Sequence, residues 1–383
     1  MPIQREEYLQ RIASLAKLAR EQGLDGVVLS ADSNVDYFAG FRHHSPWSLF
    51  ARPFFELISA DGRAALVTHT FLQAEMERTA AVRDIRTYAR SGGAPIGLLA
   101  QTLKDLGVDS GRVGAELGYE QRLGMSWQDF AALQRALPRA EFVDCAPLLW
   151  SLRMKKSPAE IALIRQACEI TALTYTACFR AARAGMSERE VCRLAAETML
   201  HLGAERPGFV VVSSGPENYH RLSGKPTDRK LQRGDMLWMD MGAVFDGYWS
   251  DFSRAGVVGG PSPEQRRMQA AILEVDRACL DAVKIGEPVK RIPMAAETAM
   301  RRLGLDLQIG EGRIGHGLGL MSTEPPHVAH YEDTLMEAGM VITIEPRVLA
   351  SFGIFNVEEI FVVGPAGPEL LTSAPRELVT LGE

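Results

Sequence analysis

The sequence predicts an α/β domain over residues 1–150 followed by an α+β domain with a mainly antiparallel sheet over residues 151–383. Three observations predict this. The 383 residues exceed the about 100 to 200 of a single domain. Up to residue 150 short apolar runs alternate with helical patterns, whereas beyond it hairpin-like runs and helices fall in separate blocks. At the junction, "KKSPAEIALIRQACEITA" places Ser157, Pro158 and Glu160 where a capping box and a first-turn proline start a helix.

The N-terminal stretch "MPIQREEYLQRIASLAKLAREQG" is amphipathic, with Tyr8, Ile12, Leu15 and Ala19 at helical spacing. Four apolar runs follow, "DGVVLS", "AALVT", "RVGAEL" and "EFVDC", and with helices between them they imply a largely parallel or mixed sheet. No Gly-rich phosphate loop follows any of these strands, which argues against nucleotide binding. The cluster "FRHHSPWSLF", with Arg42, His43, His44 and Trp47, reads either as a polar loop or as a rim that contacts substrate in a partner subunit.

Beyond residue 150, "MSEREVCRLAAETML" repeats the capping device with Ser187 and Glu190. "PSPEQRRMQAAILEVDRACLDAV" does so with Ser262, Pro263 and Gln265. The intervening runs "GFVVVSS", "GDMLWMDMGAVFDGYWSDFSRAGVV", "GMVITIEP" and "GIFNVEEIFVV" read as strands, and their hairpin arrangement implies antiparallel pairing.

Hydrophobic residues make up 46% and charged residues 23%, as in a soluble globular protein with a large core. A formal charge of -6 without long single-sign runs leaves no footprint for nucleic acid or an anionic membrane. The N-terminus lacks the apolar core of a signal peptide, and no run of about 18 apolar residues follows, so a cytoplasmic protein is expected. Cys145, Cys168, Cys178, Cys192 and Cys279 form no CxxC pair and read as reduced core thiols.

The chemistry concentrates in acidic residues on predicted strands. Asp246-Gly247 is a favoured two-residue hairpin turn. If it closes the hairpin, facing positions sum to 493, so Asp251 lies opposite Gly242 and diagonal to Asp240, on one face and within roughly 7 Å. Two carboxylates so close repel unless a positive charge sits between them, and a metal ion is the simplest candidate. Asp240 sits among Met236, Leu237, Trp238, Met239 and Met241, so its carboxylate should be paired, neutralised or metal-bound. Asp235, Asp246 and Asp281 read as turn or surface residues. Glu345 and Glu358 fit a second hairpin through "RVLASFG", and because Glu358 and Glu359 point to opposite faces, only one joins the cluster. Two Asp, two Glu and His316, in "GHGLGLMSTEPP", make an oxygen-rich site with one imidazole, suited to Mn, Fe, Co or Zn. Carboxylates on strands also serve salt bridges, so spacing alone leaves both readings open.

These motifs, in this order, resemble the prolidase, aminopeptidase P and creatinase family. The likeness runs from the N-terminal α/β domain through "KSPAEI", "SSGPENYH", "PTDRKLQRGD", the Asp pair, "GHGLGL", "TIEP" and the final "VEE". It implies a creatinase-like N-terminal domain and a pita-bread catalytic domain. It also implies two divalent ions, Mn first and Co, Fe or Zn as alternatives, held by Asp240, Asp251, His316, Glu345 and Glu358. Glu345 would move the proton of the attacking water and His220 would be the active-site histidine, though the loop around His220 aligns loosely. The implied activity is hydrolysis of a carbon–nitrogen bond in a small peptide or amide, as in Xaa-Pro aminopeptidases and dipeptidases. The implied assembly is a homodimer with Arg42, His43 and His44 bordering the partner's site.

Two positions depart from the family pattern. Thr323 stands where its peptidases carry a substrate-binding histidine, and Asn356 where they carry an arginine. Threonine can hydrogen-bond but cannot carry a proton as imidazole does. His327 and His330 are the nearby imidazoles that could take that place if the loop folds back, and otherwise read as surface residues. These departures leave open a second activity on the same scaffold, a non-peptidase hydrolase or lyase of a small zwitterionic metabolite, as in ectoine hydrolase or creatinase. Gly315, Gly317 and Gly319 are expected to let the backbone pass close to ions and substrate.

Overall fold

In the computed structural model, residues 3–43, 51–305 and 312–383 are described. His44 and Trp47 lie outside them. The chain divides into two compact units, 2–153 and 154–383, so the boundary falls slightly beyond residue 150. The reason is that the helix Ala146–Arg153 completes the first unit. Its Arg153 donates to Asn34 Oδ1 at 2.7 Å and stacks on Trp150.

The N-terminal unit is a six-stranded mixed sheet. Its strand Gly26–Leu29 lies between an antiparallel neighbour, Phe55–Ser59, and a parallel one, Ser110–Ala115. The helix Arg5–Glu21 buries Ile12, Leu15 and Ala19 as its spacing demands. Phe55–Ser59 was not evident from the sequence because Glu56 interrupts its apolar run, yet Glu56 is fully buried. Neither of its carboxylate oxygens has a hydrogen-bond partner among the described residues, and burial, reinforced by the nearby Glu116 charge, holds its carboxyl well above the usual range.

In the second unit the helices Pro158–Ala181, Glu188–His201 and Pro263–Asp281 all begin with complete capping boxes at Ser157, Ser187 and Ser262. They flank two sheets. One pairs Arg206–Ser214, Met236–Phe245 and Phe252–Val258 antiparallel, with Val379–Leu381 added in parallel. The other runs antiparallel through Glu324–His327, His316–Gly317, Val341–Ile344, Glu359–Gly364 and Gly367–Leu370. A core of Trp238, Val257, Ile272, Ile342, Ile344, Phe355 and Phe361 fills the space between sheets and helices. Among the described residues, no helix is long and apolar enough to cross a membrane.

Candidate metal centre

The first sheet contributes two aspartates. Asp246 and Gly247 both adopt positive φ, 46° and 79°, as the mirror-image hairpin turn requires. Pairing then runs Phe245 to Tyr248, Val244 to Trp249, Met241 to Phe252 and Asp240 to Ser253, each sum being 493. Asp251 therefore stands beside Gly242, diagonal to Asp240. The ladder opens at Ser250–Asp251, where Thr171 and Ser250 hydroxyls bond each other at 2.8 Å and both accept from the Ala243 amide. Tyr175 Oη lies within hydrogen-bond distance of the carbonyls of Met239 and Phe252, residues adjoining the two aspartates.

The second sheet contributes the histidine and the glutamates. Ile344 pairs with Glu359, and in the adjoining hairpin Arg347 pairs with Asn356. Both pairs sum to 703, so Glu345 and Glu358, which lie between them, stand opposite each other. Glu359 faces away, toward Arg254 Nη2 at 3.1 Å and Arg376 Nε at 2.8 Å. Arg254 also donates to the carbonyls of Ser253 and Glu358, tying the strand next to Asp240 to the link that carries Glu358, just before strand Glu359–Gly364. His316 sits on a two-residue strand whose amide donates to Thr343 Oγ1 at 3.1 Å.

Ligand atoms of Asp251, His316 and Glu358 all lie within 4.8 Å of one another. His316 Nε2 is 3.7 Å from Asp251 Oδ2 and 3.9 Å from Glu345 Oε1. These separations are too long for hydrogen bonds and fit donor atoms each about 2 Å from a shared ion. One oxygen of Asp240 is enclosed with no hydrogen-bond partner among the described residues. His316 Nδ1 donates to the Gly317 carbonyl at 2.9 Å, leaving the lone pair on Nε2, toward the carboxylates. The residues therefore fit a divalent metal.

The electrostatics point the same way. Burial first, and then the Glu345 charge, pushes Asp240 up to about 7, against the opposing pull of Arg347. Asp251 and Glu358 are driven well above the carboxylate range, mainly by burial and then by their carboxylate neighbours. Burial and the Arg313 charge push His316 down to about 3, keeping its imidazole neutral. Without a cation such a cluster is held together only by protonation.

The other residues singled out in the sequence lie as follows. Thr323 is half-buried in a bend before Glu324–His327. His220 and His330 are exposed. His327, read as a surface residue, is instead 2% exposed, because strand pairing sets it against His316 and the Arg313 guanidinium binds its Nδ1 at 2.8 Å. Asp235, read as a turn or surface residue, closes a turn with its amide on the Gln232 carbonyl at 3.0 Å, but is buried and bonded to Arg229 at 2.6 Å. Arg42 Nε pairs with Asp36 at 2.7 Å and the His43 ring packs on Phe54. The Asn356 side chain is closed off by Ser253, which donates to it, and by the Pro346 carbonyl, to which it donates. The glycines serve the protein's own packing. A Cβ at Gly315 would come within 2.1 Å of the Thr343 carbonyl oxygen, and one at Gly317 within 2.4 Å of that of Pro325. Sequence reasoning missed Arg313 and Arg347. The only available signal was their position, three residues before His316 and two after Glu345.

Residues 162–365 match metallopeptidase family M24, and residues 11–155 match the creatinase/prolidase N-terminal domain. The chain is 29% identical to a Xaa-Pro dipeptidase of Pyrococcus furiosus over 377 residues, 97% of this chain and 99% of that one. Among solved structures, it resembles a Xaa-Pro dipeptidase from Bacillus anthracis with a TM-score of 0.85 at 27% identity, covering 98% and 100% of the two chains. It also resembles an X-Pro aminopeptidase from Thermotoga maritima MSB8, with a TM-score of 0.83 at 26% identity over 97% and 99%.

Proposed function

Because the chain belongs to metallopeptidase family M24 and is a metal-dependent hydrolase, we propose that it cleaves the peptide bond before proline in short peptides, as a dipeptidase or aminopeptidase. In this reading Asp240, Asp251, His316, Glu345 and Glu358 hold two divalent ions, with Mn the first to test and Co, Fe and Zn next. The reading is carried by one observation, the convergence of ligand atoms of Asp251, Glu345 and Glu358 near His316, together with an enclosed Asp240 oxygen that has no hydrogen-bond partner among the described residues. Bound ions supply Lewis acidity to the scissile carbonyl and the attacking water.

The chain's residues do the rest. Glu345 has a side chain more exposed than those of Asp251 and His316, 21% against 11% and 5%, so it is the carboxylate placed to take the water proton and return it to the leaving nitrogen. Arg254 and Glu359 hold the strand behind Glu358. We also propose a homodimer in which Arg42, His43 and His44 border the partner's site.

A second reading, hydrolysis or lysis of a small zwitterionic metabolite, draws support from Thr323 and from Asn356, whose amide is already engaged by Ser253 and Pro346. The test is metal analysis followed by turnover of Xaa-Pro dipeptides under Mn, Co, Fe and Zn loading. Absence of bound metal sinks both readings. Bound metal with intact Xaa-Pro dipeptides, but turnover of cyclic or N-acyl amino acids, replaces the first reading with the second.

A further inference from the structure

The acidic cluster is made of hydrogen-bond acceptors. The carbonyl oxygen that gains charge as water attacks needs a donor, and Thr323 offers only a hydroxyl. We propose that His327, held by Arg313 with its proton on Nε2, is that donor, a catalytic residue for which Arg313 is the positioning partner. The activity part of this inference rests on the hydrolase reading above.

Three observations carry it. His327 pairs directly with His316, and directly opposed residues of an antiparallel pair project to the same face with Cβ atoms about 4.5–5.5 Å apart. The ring therefore stands on the side of the sheet where His316 meets the carboxylates. His327 is buried, and its backbone is fixed on both sides by the Glu332 carboxylate accepting from its amide at 3.2 Å and by its carbonyl accepting from the Ala329 amide at 2.9 Å. Finally, Arg313 Nη1 lies 2.8 Å from His327 Nδ1. A guanidinium has only donors, so Nδ1 accepts and the neutral ring carries its hydrogen on Nε2. Its partner His316 shows the opposite tautomer, with Nδ1–H on the Gly317 carbonyl. The two neighbouring imidazoles thus divide the work, one presenting a lone pair to a cation and the other an N–H to an oxyanion.

In the step itself the water oxygen bonds to the carbonyl carbon, the C=O π pair moves to oxygen, and Glu345 takes the water proton. The Nε2–H strengthens its hydrogen bond to that oxygen without giving up its proton. When the tetrahedral species collapses, the C–N bond breaks and Glu345 returns its proton to nitrogen.

The test uses the full chain loaded with Zn(II). In protein labelled with 15N-histidine, the His327 signal, assigned among eight histidines by its loss in His327→Phe, is expected to show the Nε2–H tautomer, and Arg313→Met is expected to remove that preference. A His327 signal of the Nδ1–H form in the unaltered protein overturns the proposal whether or not any peptide is cleaved. For turnover, His327→Phe is expected to lower kcat by about 10²- to 10³-fold, the loss typical of one oxyanion donor, with KM and metal content little changed, and His327→Gln, which keeps an N–H, to recover part of it. Binding of a dipeptide phosphinate, tetrahedral and anionic at the reacting position, should weaken in His327→Phe far more than binding of the product amino acid. Equal weakening of both, or unchanged kcat in a folded, metal-replete His327→Phe, overturns the proposal. Failure of the unaltered protein to cleave any peptide sinks the peptidase reading alone, since the tautomer and phosphinate measurements stand without it.

Discussion

Asp240→Asn in metal-free protein isolates the cost of assembling the carboxylate cluster. The Asp240 carboxyl moves from an ordinary 3.8 to about 7 on folding, first because it is buried and second because Glu345 is close. A carboxyl whose pKa is raised holds its proton more tightly when folded. Its contribution is therefore complete below pH 3.8 and is lost as the pH climbs through about 7. About three pH units at about 1.4 kcal/mol each gives roughly 4 kcal/mol as an upper bound. With chelator present, Asp240→Asn should gain on the unaltered protein steadily between pH 4 and pH 7. At about 2 to 4 °C per kcal/mol for a domain of this size, the gap in Tm reaches roughly 10 °C. Excess Mn should narrow the gap, because an ion at a hundred times its Kd stabilises the ligand-complete protein by about 2.7 kcal/mol. Differential scanning calorimetry of both proteins, with chelator and with Mn at each pH, reads all of this. A gap in chelator that stays flat or shrinks from pH 4 to 7 would refute the idea that repulsion and burial at Asp240 make the empty cluster costly.

Other perturbations act on named contacts. Lys156 and Glu324 form an ion pair at 3.2 Å with 1% exposure on each side chain. Lys156→Met should cost about 3–5 kcal/mol by taking the cation from a buried carboxylate, with partial recovery in Lys156→Met/Glu324→Gln, measured by denaturant unfolding; a double-variant cost equal to the sum of the Lys156→Met and Glu324→Gln costs would show the pair is not coupled. Gly315→Ala should lower Tm or solubility sharply, since its Cβ would sit 2.1 Å from the Thr343 oxygen, whereas Gly97→Ala, where a Cβ meets nothing within 4 Å, should not. Glu56→Leu should stabilise the protein by about 1–3 kcal/mol at pH 8, because it removes a fully buried carboxyl that lacks a hydrogen-bond partner among the described residues. Its pKa is raised, so the advantage should grow as pH rises above 4.5, and an advantage that falls with pH counts against this account.

The convergence of the four carboxylates was legible in the sequence because each pair belongs to one hairpin. An Asp-Gly turn fixes pairing within a few residues, and parity then puts Asp240 and Asp251 on one face. Glu345 and Glu358 follow the same logic. What stayed hidden depends on segments that meet without such a turn. The run "EPPHVAH" has no alternation from which to read an inward histidine. His327 is buried because a two-residue strand with a shifted register at His316 and Gly317 accepts it as a neighbour. The turn at Asp235 was legible, but its burial was not, because it depends on Arg229, six residues earlier in the chain, which bonds it. Glu56 broke an apolar run and hid a central strand.

This division has a chemical counterpart. Metal ligands must converge within a few ångströms, and the sequence achieves that through short, locally encoded hairpins, so reaction class can be read early. The donor to the carbonyl under attack comes instead from a cross-strand neighbour, His327, whose role depends on which nitrogen carries a proton. That depends in turn on a partner fourteen residues away, Arg313. Thr323 stands where the family pattern has an imidazole, and strand register sets another, His327, held by a guanidinium that can do nothing but donate, beside His316. Substrate choice in this chain should therefore change with substitutions at Arg313 and His327 that leave metal binding untouched.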